Sequence, residues 1–379
     1  MSESGASPRG EPLPNPPPAP GEAVLFQLTE ASLRRLLAGF RRALGWVTLM
    51  YVGALATFLI GMEWCGERFW LFSLLNYGPI QTCLVPLAFL TPVCLLFRWR
   101  LVLWHIAAAF VLIFGYMHFR WSSVSPFHSS EIKVVTFNYG ESNRAQFLSF
   151  LAAEQPDLLL LQDARGRGAD LVKKIPAMYA SDLDQFAFLS KFPIERAEIV
   201  ENVKSEGKAV AARYEVMIQG RLIAIYSVHL PTPRQQLGRF LGGRRILGDF
   251  VGHGHREPAY GNYRDYVRAR IALGQTLARV LADEKLPMIV GGDFNTPDHG
   301  YLYHLFSGEM SDAFANAGRG WGLTFPGSTH NPISFFGPWL RIDYLFAGRG
   351  WRVTECRPEP GRKSQHKAVF ARFEPRPLS

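Results

Sequence analysis

Two kinds of apolar run divide this chain. In the first third the runs are long. Ala43 to Met62 carries no charge over about twenty residues, enough to cross a bilayer as a helix. Trp70 to Phe97 is a second such stretch; Asn76, Gly78 and Pro79 interrupt it, which places the span at Pro79 to Phe97. Arg98 and Arg100 form a tight turn, and Leu101 to Phe119 is a third span. Beyond Arg120 the apolar runs shorten and alternate with helical periodicity. Lys133–Phe137, Leu158–Leu161, Phe186–Leu189, Arg221–Val228, Met288–Val290, Arg341–Phe346 and Ala368–Phe373 read as strands. Phe147, Leu148 and Leu151 mark the buried face of a helix that Ser142 caps and Pro156 closes. Val267, Ile271, Gly274, Ala278 and Leu281, with Leu277 beside them, mark another from about Arg264 to Asp283. This alternation predicts a single α/β domain over residues 131–379.

The flanking segments complete the division. Residues 1–28 form a Pro-rich tail, expected to be disordered because it has too little apolar surface to order itself. In residues 29–42, Leu33, Leu36, Leu37 and Phe40 fall at helical spacing among Arg34, Arg35, Arg41 and Arg42, which predicts an amphipathic juxtamembrane helix on an anionic leaflet. Residues 43–120 are the membrane region with three transmembrane helices, and 121–130 a polar linker containing Pro126. A cleaved signal peptide does not account for repeated spans of this length. Arginines precede the first span and sit between the second and third, whereas the loop after the first holds Glu63, Glu67 and Arg68. The positive-inside rule then puts the N-terminus in the cytoplasm and, after three crossings, everything beyond Arg120 on the extracytoplasmic side of the cell (inner) membrane.

Composition changes this picture little. A formal charge of +9 over 379 residues fits contact with anionic matter, nucleic acid or lipid headgroups. Four scattered cysteines make no disulfide framework, and no Cys/His cluster has zinc-ligand spacing. Nothing in the sequence calls for an obligate protein partner beside the lipid bilayer.

The candidate chemistry lies where strands end. Met288-Ile-Val-Gly-Gly-Asp-Phe-Asn-Thr-Pro297 runs from a buried strand through two glycines, expected to allow a tight turn and close backbone approach, to Asp293 and Asn295. Those residues suit a turn, and equally offer oxygen atoms to a hard cation such as Mg²⁺. Asn138, Asp163, His229, Asp343 and His366 occupy comparable places on other strands. Asp343, expected inside an apolar strand, needs a partner because an unpaired buried charge is costly, and His366 is the natural one.

The order Asn138, Gln162-Asp163, Ser190-Lys191-Phe192-Pro193-Ile194, His229-Leu230, Gly292-Asp293-Phe294-Asn295, Arg341-Ile342-Asp343-Tyr344, Ser364-Gln365-His366 resembles the endonuclease/exonuclease/phosphatase superfamily, in particular its membrane-anchored bacterial members. The resemblance covers the chain from Glu131 onward. It implies a four-layer α/β sandwich, two central mixed β-sheets flanked by helices, with Mg²⁺- or Mn²⁺-dependent hydrolysis of an anionic phosphoester (nucleic acid, nucleotide or lipid headgroup). It further implies Asp163, Asn138 and Gln365 on the metal side, and Asp293 and Asn295 orienting water and phosphoryl group. His366, held by Asp343, is then base or phosphoryl ligand, and His229 stabilises developing charge. Two positions depart from the family. Gln162-Asp163 stands for the usual Gln-Glu and Ser364-Gln365-His366 for Ser-Asp-His, which weakens the expected metal grip. The alternatives are a phospholipid or sphingolipid phosphodiesterase and a binding module with weakened catalysis. The Arg- and Gly-rich segment 234–263, with His253 and His255, reads as a basic flap or a solvated loop, and Phe335, Phe336 and Trp339 as a substrate wall or core.

Overall fold

A computed structural model describes residues 20–123, 128, 130–140, 144–175, 178–233, 263–327, 334–335, 337–361 and 364–376. Three helical segments, Thr29–Trp64, Ile80–Phe97 and Trp99–Tyr116, are long and apolar enough to cross a membrane. The first belongs to one continuous helix, Pro20–Trp64, of 45 residues. At 1.5 Å per residue it is about twice as long as a bilayer core is thick, so its Arg-rich half extends past the apolar part. Residues 29–42, expected as a separate helix, are therefore continuous with the apolar part of this one, and residues 20–28 of the expected tail are helical as well. No proline interrupts the segment, and a helix once begun propagates one hydrogen bond per residue. The spans cross-link through buried His105, whose ring nitrogens lie 3.1 Å from Thr48 Oγ1 and 3.1 Å from Thr91 Oγ1. At one end of the bundle Arg98 donates to the Arg41 carbonyl. The catalytic-site candidates lie at the other.

The remaining chain forms two six-stranded mixed sheets. One runs Ser311–Asp312, Asp343–Ala347, Met288–Asp293, Arg221–His229, Ala211–Ile218, Ile194–Ile199. The other runs Trp351–Pro358, Val369–Pro375, Ile132–Asn138, Leu158–Gln162, Phe186–Ser190, Tyr179–Leu183. Period-two alternation sorts each central strand into two faces. Val134, Leu158, Leu160, Ile225 and Ile289 join the core between the sheets. Val135, Phe137, Leu159 and Leu161 face Phe147 and Leu151 of the Arg144–Glu154 helix. Tyr226, Val228 and Val290 face Leu277 and Leu281 of Tyr263–Ala282 and Phe306 of Tyr301–Glu309. The layers are thus helix, sheet, sheet, helix, an α/β sandwich preceded by the apolar helices.

Two sequence expectations change locally. The Gly291-Gly292 pair does not make a turn: both residues lie within the Met288–Asp293 strand. Their role is close approach, since a Cβ on Gly292, at φ +154°, would overlap the Val228 carbonyl of the neighbouring parallel strand. Asp343 begins its strand and does not lie inside it. The N–H groups of Ile342 and Asp343 donate to Thr324 Oγ1 at 3.2 and 3.3 Å, while the Ile342 carbonyl accepts from the Phe294 N–H at 2.9 Å. The start of the expected linker is clamped to the domain: Arg120–Trp121 pairs with Arg319–Gly320, and Ser122 Oγ donates to Gly318 O.

Candidate active site

Strand direction gathers the polar residues at one end. Each sheet has one central parallel pair, and in each the C-terminal residues are register partners: Asn138 with Gln162, and His229 with Asp293. The neighbours Asp343–Ala347 and Val369–Pro375 run antiparallel to these pairs, so it is their starts that reach the same end. Asp343 thereby sits opposite Asp293, and His366 enters just before its strand. The Ser190-Lys191-Phe192-Pro193-Ile194 motif falls at the far end because the Phe186–Ser190 strand runs against Leu158–Gln162. There Ser190 Oγ accepts from the Phe192 N–H at 2.9 Å, and Lys191 pairs with Asp157 at 2.8 Å, a turn with a structural role.

Asp293 is the hub. It is about 1% exposed, accepts from Asn138 Nδ2 across the sheet gap at 2.9 Å, and accepts from the Asn295 N–H at 2.9 Å. Its Oδ2 lies 3.7 Å from His229 Nε2 and 3.8 Å from His366 Nδ1. His366 Nδ1 bonds both Asp343 oxygens at 3.1 Å, the pairing that the buried acid required. Burial pushes the Asp293 carboxyl up, His366 draws it down, and Asp343 adds repulsion. Burial likewise pushes the His229 imidazole down, against the pull of Asp293 and then Asp163. Gln185 Nε2 donates to the Ala209 carbonyl, so its Oε1 accepts from His229 Nδ1 at 2.7 Å. That fixes the neutral tautomer, with Nε2 turned towards Asp293.

The floor beneath is polar and closed. Gln162 Nε2 donates to Thr136 Oγ1 at 3.1 Å and to Ser227 Oγ of the other sheet at 3.0 Å, all three side chains being fully buried. Gln162 therefore bridges the sheets, while Asp163 after it turns outward at φ +49°. Asp163 pairs with Arg165 Nε at 2.9 Å and is close enough to Gly140 that a Cβ there would overlap its Oδ2. Asn295, at φ +49°, directs its Nδ2 to Leu230 O at 2.9 Å, tying the loops that follow His229 and Asp293. Gln365 is half-buried, and its carbonyl accepts from the Gly327 N–H.

Asp293, Asp343 and His366 each offer a ligand atom, and these lie within 4.8 Å of one another. Two carboxylates and an imidazole so close, with Asn138 beside them, fit a divalent cation: it would neutralise the mutual repulsion of the acids, and carboxylate oxygen suits Mg²⁺ or Mn²⁺. The cluster thus draws on residues that the resemblance had assigned to catalysis. Asn138 stands within it, while Asp163 lies on its rim.

Several neighbours escaped sequence reasoning. Gln185 and Thr324 sit in loops without a motif. Glu67 drew notice only as a charge between spans, although it is buried against Arg270, Thr296 and Leu302. Arg270 had a visible signal: a cation on the apolar stripe between Val267 and Gly274. Of the aromatic trio, Phe335 is 82% exposed, and Trp339 Nε1 donates to the Tyr77 carbonyl between the first and second spans. Phe336 and residues 234–262, with His253 and His255, lie outside the described residues.

Solved structures similar to this one include an endonuclease/exonuclease/phosphatase family protein from Leptotrichia buccalis (15% identity, 64% of this chain and 99% of that one, TM-score 0.45). Others are an endonuclease/exonuclease/phosphatase from Bacteroides vulgatus (15%, 65% and 100%, TM-score 0.47) and truncated TDP2 of Caenorhabditis elegans (19%, 64% and 98%, TM-score 0.44). They come from bacteria and an animal alike. No curated protein matches. The model of the Endonuclease/Exonuclease/phosphatase family matches residues 135–366, more than half of the chain and every residue of the cluster just described, and the chain belongs to that family.

Proposed function

We propose that this protein is a membrane-anchored phosphoester hydrolase dependent on Mg²⁺ or Mn²⁺, with its catalytic domain, residues 131–379, on the extracytoplasmic side. The observation that carries this reading is the convergence of Asp293, Asp343 and His366 at the end of the sandwich where His229 and Asn138 also arrive. The cation would be held by the Asp293 and Asp343 carboxylates, with Asn138 and Asp163 nearby, and would supply charge neutralisation to phosphoryl oxygens. The chain's own residues do the rest. Asp293 orients the attacking water through a carboxylate already fixed by two donors. His366, aligned by Asp343, accepts a proton or holds a non-bridging oxygen. His229 keeps Nε2 turned into the site because Gln185 holds its other nitrogen, and in the protonated form that nitrogen would donate to the developing charge. Asn295 keeps the two site loops together.

The test is hydrolysis of a chromogenic phosphodiester by the full chain in lipid nanodiscs, across Mg²⁺ and Mn²⁺ concentrations. Saturable metal-dependent turnover supports the reading. None on any phosphoester would leave a binding module in which Asp163 and Gln365 have cost the activity.

A second reading, a lipid phosphodiester as substrate, is favoured by one contact: Tyr77, between the first two spans, donates from its hydroxyl to the Asn295 carbonyl at 3.0 Å. That brings the site rim against the membrane region. Comparing a nucleic-acid diester with a phospholipid in the same nanodiscs separates the two. The extracytoplasmic side rests on the parity of three spans and on Arg41 and Arg98 meeting at the opposite end. An alkaline phosphatase fused after Ser379 should be active, and a cytoplasmic fluorescent reporter in its place should stay dark.

A further inference from the structure

We infer that Glu67, in the loop between the first and second spans, is a positioning residue for the catalytic loop, so that the membrane region completes the active site besides tethering it. This rests on the site proposed above. Glu67 is about 1% exposed and inserts into the domain. Its Oε1 accepts from Arg270 Nη1 at 3.0 Å and Thr296 Oγ1 at 3.1 Å, and its Oε2 from the Leu302 N–H at 3.0 Å.

Arg270 passes this restraint on. Its Nη2 donates to the carbonyls of Asn295, at 2.6 Å, and Phe294, at 3.2 Å, and to Thr296 Oγ1 at 2.8 Å. These are the residues directly after Asp293, and the Asn295 N–H is one of the two donors that fix the Asp293 carboxylate. A second membrane-region residue reaches the same peptide, for the Tyr77 hydroxyl shares the Asn295 carbonyl at 3.0 Å. Asn295 holds φ +49°, a left-handed conformation that Asn adopts more readily than most residues and that its surroundings help to hold. Here the surroundings are Leu230 from the domain, and Arg270 and Tyr77 under the control of the membrane region.

The geometry makes the dependence directional. Arg270 is buried and needs a counter-charge; among its described ion pairs Glu67 is the acid it meets. Without that carboxylate the guanidinium has reason to swing away from the 294–296 carbonyls towards water, releasing Asn295. Displacing a catalytic group by about 1 Å is enough to lower a rate on the order of a hundredfold.

The test uses the full chain in nanodiscs, with parent, Glu67→Gln, Arg270→Gln, the double variant and Tyr77→Phe. Glu67→Gln is expected to lower kcat about ten- to a hundredfold with KM nearly unchanged, and Tyr77→Phe several-fold. The double variant should lose no more than the worse single variant, because both changes break one relay. Hydrogen exchange of the peptide spanning 293–302, read at a temperature where each variant is folded by its melting curve, should lose protection in Glu67→Gln. This second readout stands even if the parent proves inactive, which would refute the hydrolase reading and leave the positioning relay decided by exchange alone. Unchanged protection in 293–302, or a Glu67→Gln variant with a lower melting temperature and the parent's kcat, overturns the inference. Multiplicative losses in the double variant do so too.

Discussion

Replacing Asp293 by Asn removes one charge at nearly constant volume, and the structure sets both of its consequences. The Asp293 carboxylate presents two acceptor oxygens to two donors, Asn138 Nδ2 and the Asn295 N–H, each at 2.9 Å. An amide has a single acceptor, so one of those donors loses its partner in a site about 1% exposed, which costs about 1–3 kcal/mol. Against that, burial and the neighbouring Asp343 both disfavour the charge that the substitution deletes. The two effects oppose each other, and the net stability change should stay within about 2 kcal/mol, leaving the protein folded. Catalysis has no such offset. Losing a preorganised charge at the reacting centre costs on the order of a hundred- to a thousandfold in rate, about 2.7–4 kcal/mol of barrier. The assay is hydrolysis of a chromogenic phosphodiester by parent and variant across Mg²⁺ and Mn²⁺ concentrations, with melting curves alongside. An Asp293→Asn enzyme that melts with the parent and matches its rate would refute the assignment of Asp293 as the hub.

Three further outcomes are expected. Gly140→Ala should leave the melting temperature near that of the parent but push the half-exposed Asp163 away from its place, lowering activity or raising the metal concentration needed for it; full activity would mean Asp163 can sit elsewhere. Gly292→Ala should destabilise by about 3 kcal/mol or more, since the new Cβ overlaps the Val228 carbonyl at a positive φ, and denaturant melts in nanodiscs would detect it. Glu284 provides a pH signature. Burial alone would raise its carboxyl, but Arg213 Nε, the Leu286 N–H and the Tyr226 hydroxyl outweigh it and hold it at about 2. The folded value lies below the ordinary 4.5, so its contribution is complete above about pH 4.5 and is lost as pH falls towards 2. Glu284→Gln should cost about 1–3 kcal/mol at pH 7 and progressively less below pH 4.5, by thermal melts across pH; a gap that does not narrow in acid would contradict this.

The sequence by itself determined the division of the chain, because long uncharged runs and short alternating ones are properties of local composition. It also determined the central strands whose apolar runs are buried on both faces, and the partnership of Asp343 with His366, which follows from the cost of a buried charge. It did not determine the interior strand Ala211–Ile218, where Arg213 and Glu215 break the run. The edge strands Ile194–Ile199 and Trp351–Pro358 went unmarked, since half-exposed strands mix polar and apolar residues too freely for a short pattern to show. Only the tertiary structure decided which polar strand ends meet. Parallel and antiparallel pairing bring Asn138, Gln162, His229 and Asp293 in as strand ends and Asp343 and His366 as strand starts, and send Ser190 to the far end. The same holds for Glu67. A charge between two spans looks like any solvated loop residue until the fold, over 203 positions of sequence, sets Arg270 against it; long-range pairing leaves no periodic trace for a local reading to find.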